Sequence, residues 1–178
     1  MKLIIMYMKG NAIITREAID LYDHALGLLD TSIKELRHVA HNLMPESLFK
    51  YGLHQGLTDF CDGTGSAGIK LSFAFSGIDQ RFDEKLEIAS YRIVQELVNN
   101  AMKHSGASEI TVQLVSEEER LSLTVQDNGK GMDMKSSEQS GKGLANIRSI
   151  VASFDGHFEL SSEHGKGTEA IIEFRTKG

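Results

Sequence analysis

Five polar side chains recur at helical spacing near the middle of this 178-residue chain: Glu96, Asn99, Asn100, Lys103 and His104, at i, i+3, i+4, i+7 and i+8. At about 100° per residue they fall on one stripe of a helix. Leu86, Ser90, Val94, Leu97 and Ala101 fall about a quarter turn away, an apolar face suited to packing on a sheet. Such a helix aims a carboxylate, two carboxamides and two cations at one place. A carboxamide oxygen is a hard ligand suited to Mg²⁺, and Lys and His can meet phosphate oxygens. Taken alone, such a stripe is usually a solvated helix face.

Three glycine clusters follow. Asp127-Asn128-Gly129-Lys130-Gly131 sits at the end of an apolar-alternating run, where a carboxylate can accept from an exocyclic amine and small residues let backbone approach a flat ligand. Gly141-Lys142-Gly143-Leu144 opens a helical pattern, and N–H donors at a helix start suit an anion. Gly165-Lys166-Gly167-Thr168 enters the final strand and brings a hydroxyl toward the same sheet end. Met132 to Ser140, polar and small, reads as a mobile lid. Each cluster also has an ordinary structural reading as a turn, a cap or a bulge. All four features in this order and spacing are harder to account for that way.

The elements that must position these groups can be read from periodicity. Ile69, Leu71, Phe73 and Phe75 alternate as a strand, and Leu86 to His104 is helical. Ile110–Val115 and Leu121–Val125 flank the charged turn Ser116 to Arg120 as a hairpin. Leu144 to Phe154 is helical, and 158–160 and 170–174 are strands. This predicts an α+β fold, a two-layer α/β sandwich with helices on one face of a mostly antiparallel sheet.

Upstream, Ile19, Tyr22, Leu26, Leu29, Ile33, Leu36, Ala40 and Leu43 step by 3 and 4 in strict alternation, a heptad seam entered near Thr15 and ended by Pro45. It fits a long helix packed on its own domain, or the preferred reading, one arm of a helical hairpin paired with a second chain. Residues 1–9 read as the last turns of a preceding helix, closed by Gly10-Asn11. An amphipathic stretch, Leu48 to Phe60, leads to the loop Asp62–Gly68. The expected domains are 1–47, helical; 48–68, a linker; and 69–178, the sandwich.

Composition narrows the field. Hydrophobic residues are 40% and charged residues 25%, as in a folded globular protein, and the net charge of −6 disfavours non-specific nucleic-acid or anionic-membrane binding. One cysteine, Cys61, excludes an internal disulfide framework and suits a reducing compartment. Leu3–Met8 is far too short to span a bilayer.

QELVNNAMKHS, DNGKG, GKGL and GKGT, in that order over about residues 69–176, resemble the ATP-binding domain of bacterial sensor histidine kinases, a fold shared with gyrase and the heat-shock ATPase chaperone. The run RHVAHNLMPESLFKYGL resembles the end of the second dimerisation helix in the subfamily with short lids. The resemblance implies ATP and Mg²⁺ as cofactors. It implies that Asp127 binds the adenine amine with support from Thr168, that Asn100 holds Mg²⁺, and that Glu96 orients or polarises the reacting group. Asn99, Lys103, His104, Lys142 and Leu144 would lie around the nucleotide, with Gly129, Gly131, Gly141 and Gly143 supplying room and N–H donors. The partners implied are a second copy, through the N-terminal helices, and a response regulator receiver domain. The chain would be a cytoplasmic portion, from a protein that can be anchored in the inner membrane.

One feature departs from that pattern. The family's acceptor histidine is followed by an acidic residue, and none of the seven histidines here is. The acceptor is therefore expected to be missing from this chain, with His41, His24 and His38 as weak substitutes on the exposed side of the seam. Two other functions share the ATP fold: an anti-sigma-type serine kinase, which the long arm argues against, and a scaffold that binds ATP without transferring phosphate.

Overall fold

The structure is a computed structural model that describes residues 22–23, 25–27, 45–64, 68–132 and 142–176. The chain divides into two compact units, Met1–Met44 and Pro45–Gly178. In the first, residues 22–23 and 25–27 are helical, with Tyr22 and Leu26 half-buried and Asp23, Ala25 and Gly27 exposed, the polarity expected of an a/d seam. The rest of the seam, and His24, His38 and His41, lie outside the described residues.

The second unit opens with α1 (Glu46–Tyr51) and α2 (Leu53–Thr64). Pro45 pre-sets the φ needed to enter α1, and Gly52 ends it at φ 90°, a left-handed conformation that favours glycine. A side chain there would strike the Arg81 Cδ at 2.8 Å. Leu48, Leu53, Leu57, Phe60 and Cys61 are all buried in the core. This corrects the expected linker over 48–68, which is helical to Thr64 and lies in the sandwich unit. After Gly52, Leu53, Leu57, Phe60 and Cys61 step as i, i+4, i+7 and i+8, so burial of that face outweighs the loop-forming character of Asp62-Gly63-Thr64.

The sheet runs β1 (Lys70–Gly77), β2 (Glu109–Ser116), β3 (Arg120–Asp127), β4 (His157–Glu163) and β5 (Gly167–Arg175), in spatial order β1-β2-β3-β5-β4. The β1–β2 pair is parallel and the other pairs are antiparallel. Alternation sends Ile110, Val112 and Leu114 of β2, Leu121, Leu123 and Val125 of β3, and Ala170, Ile172 and Phe174 of β5 into one buried layer. Facing it are α2, α3 (Glu84–Asn100) and α4 (Lys142–Ser153), packed along β1, β3 and β4 respectively. The expected α+β sandwich is therefore the observed architecture.

The start of α3 is held from two sides. The Asp83 carboxylate caps it by accepting from the Lys85 N–H at 3.0 Å. The fully buried Glu87 accepts from Arg81 Nε at 3.0 Å, Arg81 Nη2 at 2.8 Å and the Phe82 N–H at 3.0 Å, which satisfies a charge that burial would otherwise penalise. Burial pushes the Cys61 thiol up to about 12, with Asp62 adding to the shift, so it stays neutral in the core. Among the described residues, no helix is long and apolar enough to cross a membrane.

The α-helix expected to run through His104 instead gives way after Asn100 to a π-helical turn, Ala101–Ser105, closed by Gly106 at φ 65°. Ser105 Oγ donates to the Ala101 carbonyl at 2.7 Å and accepts from the Ala107 N–H at 3.0 Å. The wider turn changes the angular step between side chains, so Lys103 and His104 leave the ideal stripe set by Glu96 and Asn100.

Candidate functional site

Asp127 is the last residue of β3 and pairs across the sheet with Ile110 on one side and Thr168 on the other. Its side chain points to the helical layer and is 7% exposed. Oδ1 accepts from the Gly129 N–H at 2.8 Å, which turns the chain at the strand end. No cation lies within ion-pair distance of this carboxylate among the described residues. A buried carboxylate with one internal donor is set up to accept another.

Thr168 completes this end through a residue that sequence reasoning missed. Ser162 on β4 pairs with Thr168 on β5, and their hydroxyl oxygens are 3.1 Å apart. Ser162 Oγ gives its one proton to the Gly167 carbonyl at 2.9 Å and accepts from the Met132 N–H at 2.8 Å. The Thr168 hydroxyl must then donate to Ser162, which turns its own lone pairs outward as acceptors. Two acceptors, Asp127 and Thr168, thus sit at paired positions, an arrangement that fits an amino group such as that of adenine. Gly131, at φ 69°, brings the intervening loop against the Glu163 carbonyl, where any Cβ would collide.

The second end lies on α3. Asn100 Nδ2 donates to Glu96 Oε1 at 3.2 Å, and both residues are half-buried. The amide nitrogen is spent on Glu96, so the amide oxygen is the donor a divalent cation would meet. The first turn of α4 abuts this pair: a Cβ on Gly143 would collide with Glu96 Oε1 and lie 3.4 Å from Asn100 Nδ2. The structure thus brings the start of α4 against the α3 stripe, as an anion site shared by the two helices requires. Asn99 is half-buried beside Asn100, while Lys103 and His104 project into solvent from the π-turn. Leu144 is partly buried against the core. Gly141, the Lys142 side chain and 133–140 of the expected lid lie outside the described residues.

A separate cavity of about 340 Å³ has Ser162 and Thr168 on its wall together with Gln126, Ser161 and Glu169, but not Asp127, Glu96 or Asn100. It borders the site from the solvent side of the sheet.

Residues 85–178 match the family model described as histidine kinase-, DNA gyrase B- and HSP90-like ATPase. The chain is 36% identical over 155 residues to the sensor histidine kinase MctS of Rhizobium johnstonii, covering 84% of this chain and 34% of that protein. It is 32% identical over 159 residues to the sensor histidine kinase LiaS of Bacillus subtilis, covering 89% of this chain and 43% of that one. It therefore spans less than half of either relative. The histidine kinase domain of the blue-light activated histidine kinase from Erythrobacter litoralis EL346 shares the fold, with a TM-score of 0.55 at 22% identity over 69% of this chain and 58% of that one. With a sandwich of this topology, a buried carboxylate at the end of β3 and a match over 85–178, the chain belongs to the histidine kinase-, DNA gyrase B- and HSP90-like ATPase family.

Proposed function

We propose that this chain is the ATP-binding catalytic portion of a sensor histidine kinase, transferring the γ-phosphate of ATP to a histidine for relay to a response regulator. The observation that carries the ATP reading is the buried Asp127 carboxylate, paired across the strands with Thr168 at the end of β3. What favours a histidine kinase over the other ATPases of the family is the likeness to MctS and LiaS, which extends upstream of the ATPase unit.

In this reading Asp127 and Thr168 hold the adenine amine, and Asn100 supplies its amide oxygen to Mg²⁺, which would neutralise phosphate charge. Lys103 and His104 offer cations to the phosphates. Glu96, next to Asn100, orients the acceptor imidazole and takes up its proton. Transfer of this kind depends on positioning and charge neutralisation more than on covalent help from the protein. The chain forms a homodimer through the heptad seam of the N-terminal unit. Light scattering tests that, and a monomer unaltered by Leu29→Asp would refute it.

The central experiment incubates the chain with γ-labelled ATP and Mg²⁺, alone and with a separate polypeptide whose helix carries a His-Asp or His-Glu pair. Acid-labile label is expected on the added polypeptide, absent with Glu96→Gln, and none on the chain itself. Label on this chain alone, abolished by His41→Gln or His24→Gln, would show the acceptor to be internal. No label on either, with ATP bound, would favour a scaffold.

A further inference from the structure

The loop that carries Asp127 is bolted to the segment that carries Lys103 and His104, and one side chain makes most of the bolts. Asn128 Oδ1 accepts from the N–H groups of both Ser108 and Glu109, each at 3.0 Å, and its Nδ2 donates to Ser108 Oγ at 3.1 Å. Its own N–H donates to the Glu109 carbonyl at 3.2 Å, so four hydrogen bonds from one residue go to Ser108, in the connector after the π-turn, and Glu109, the first residue of β2. Two residues on, the Lys130 N–H donates to the carbonyl of Ser105, the last residue of the π-turn, at 2.9 Å. Between them Gly129 packs so closely that a Cβ would come within 2.5 Å of that same carbonyl. Ser105 is buried and ties the turn to itself through Ala101 and Ala107.

We infer that Asn128 and Ser105 form a clasp that sets the spacing between the adenine-binding and phosphate-binding ends, making both of them positioning residues. The inference rests on the ATP-site reading above. Neither side chain touches the groups assigned to the ligand. Asp127 keeps its own Gly129 bond and its strand partners without the clasp, so adenine recognition alone does not need it. Lys103 and His104 are exposed side chains on a five-residue turn that continues α3 and is closed by Gly106. The clasp is what ties the backbone beneath them to the Asp127 loop. A ligand that reaches both ends needs that distance to be correct, whereas one that touches a single end does not.

NMR titration with two probes, adenosine and ADP with Mg²⁺, separates this from a purely structural role. In Asn128→Ala, adenosine affinity is expected to stay within about twofold of wild type, while the preference for ADP over adenosine falls by about fivefold or more, as loss of one or more net hydrogen bonds requires. Ser105→Ala, which leaves the Lys130 bond in place, is expected to show the same effect in weaker form and serves if Asn128→Ala does not fold. Ser108→Ala removes only the Nδ2 partner and is expected to leave the preference within about twofold, since the two Oδ1 bonds to backbone remain. An unchanged preference in the folded variant, whatever its melting temperature, or an equal loss for both probes, overturns the clasp. A wild-type chain that binds neither probe overturns the ATP-site reading and the clasp with it.

Discussion

At the Asp127 end of the site the groups are held mostly by main chain: strand pairing on both sides, the Gly129 N–H on Oδ1, and the Met132 and Gly167 backbone on Ser162, which in turn holds the Thr168 hydroxyl. At the Glu96 end the groups hang from one helix and its π-turn, joined by a single 3.2 Å contact between Asn100 and Glu96, with Lys103 and His104 in water. The first end is a preformed socket, costly to build and cheap to fill. The second is a half-buried cluster of polar side chains with two exposed ones beyond it, which whatever binds must order. Metal-independent affinity should therefore come mainly from the sheet, and metal dependence and transfer from the helix.

Three substitutions probe that division, taken from the largest expected effect. Asn100→Ala should remove the Mg²⁺-dependent part of ADP affinity, about 1.5–3 kcal/mol for a contact to a charged group, and leave metal-free binding unchanged. Calorimetry with and without Mg²⁺ reads this, and an unaltered magnesium titration would move the ligand elsewhere on α3. Ser162→Ala should weaken adenosine and ADP alike, by about 1–2 kcal/mol, because it strips partners from the Met132 N–H, the Gly167 carbonyl and the Thr168 hydroxyl. A loss confined to ADP would place Ser162 with the phosphates instead. Lys103→Ala should cost about 0.5–1 kcal/mol in ADP affinity and vanish in high salt, as an exposed charge does. A salt-independent loss would mean that the lysine is desolvated by the ligand.

The two ends also differed in how far the sequence disclosed them. The Glu96 stripe and the Asp127, Gly131 and Thr168 positions were legible, because helical spacing and glycines at strand ends are local patterns. Ser162 was not: one of two adjacent serines in an edge strand gains meaning only from its register with Thr168, which depends on how the last hairpin closes. Asn128 reads locally as a turn residue, and its bonds to Ser108 and Glu109 lie about twenty positions away. The π-turn had no signal either, since Ala101, Met102 and Lys103 all favour an ordinary α-helix. The two helices between Pro45 and Thr64 did leave a signal, the i, i+4, i+7, i+8 set from Leu53 to Cys61. Gly52 resets the phase and the polar tail hides the end.

The claim that affinity resides on the sheet and chemistry on the helix is tested most directly by measuring ADP binding to Asp127→Asn and Glu96→Gln side by side in the calorimeter. Asp127→Asn takes the charge from the acceptor proposed for the adenine amine and should weaken binding by roughly tenfold or more. Glu96→Gln keeps the size and the contact with Asn100 and should bind ADP within about threefold of wild type. Wild-type affinity in Asp127→Asn, or a larger loss in Glu96→Gln than in Asp127→Asn, would contradict the account.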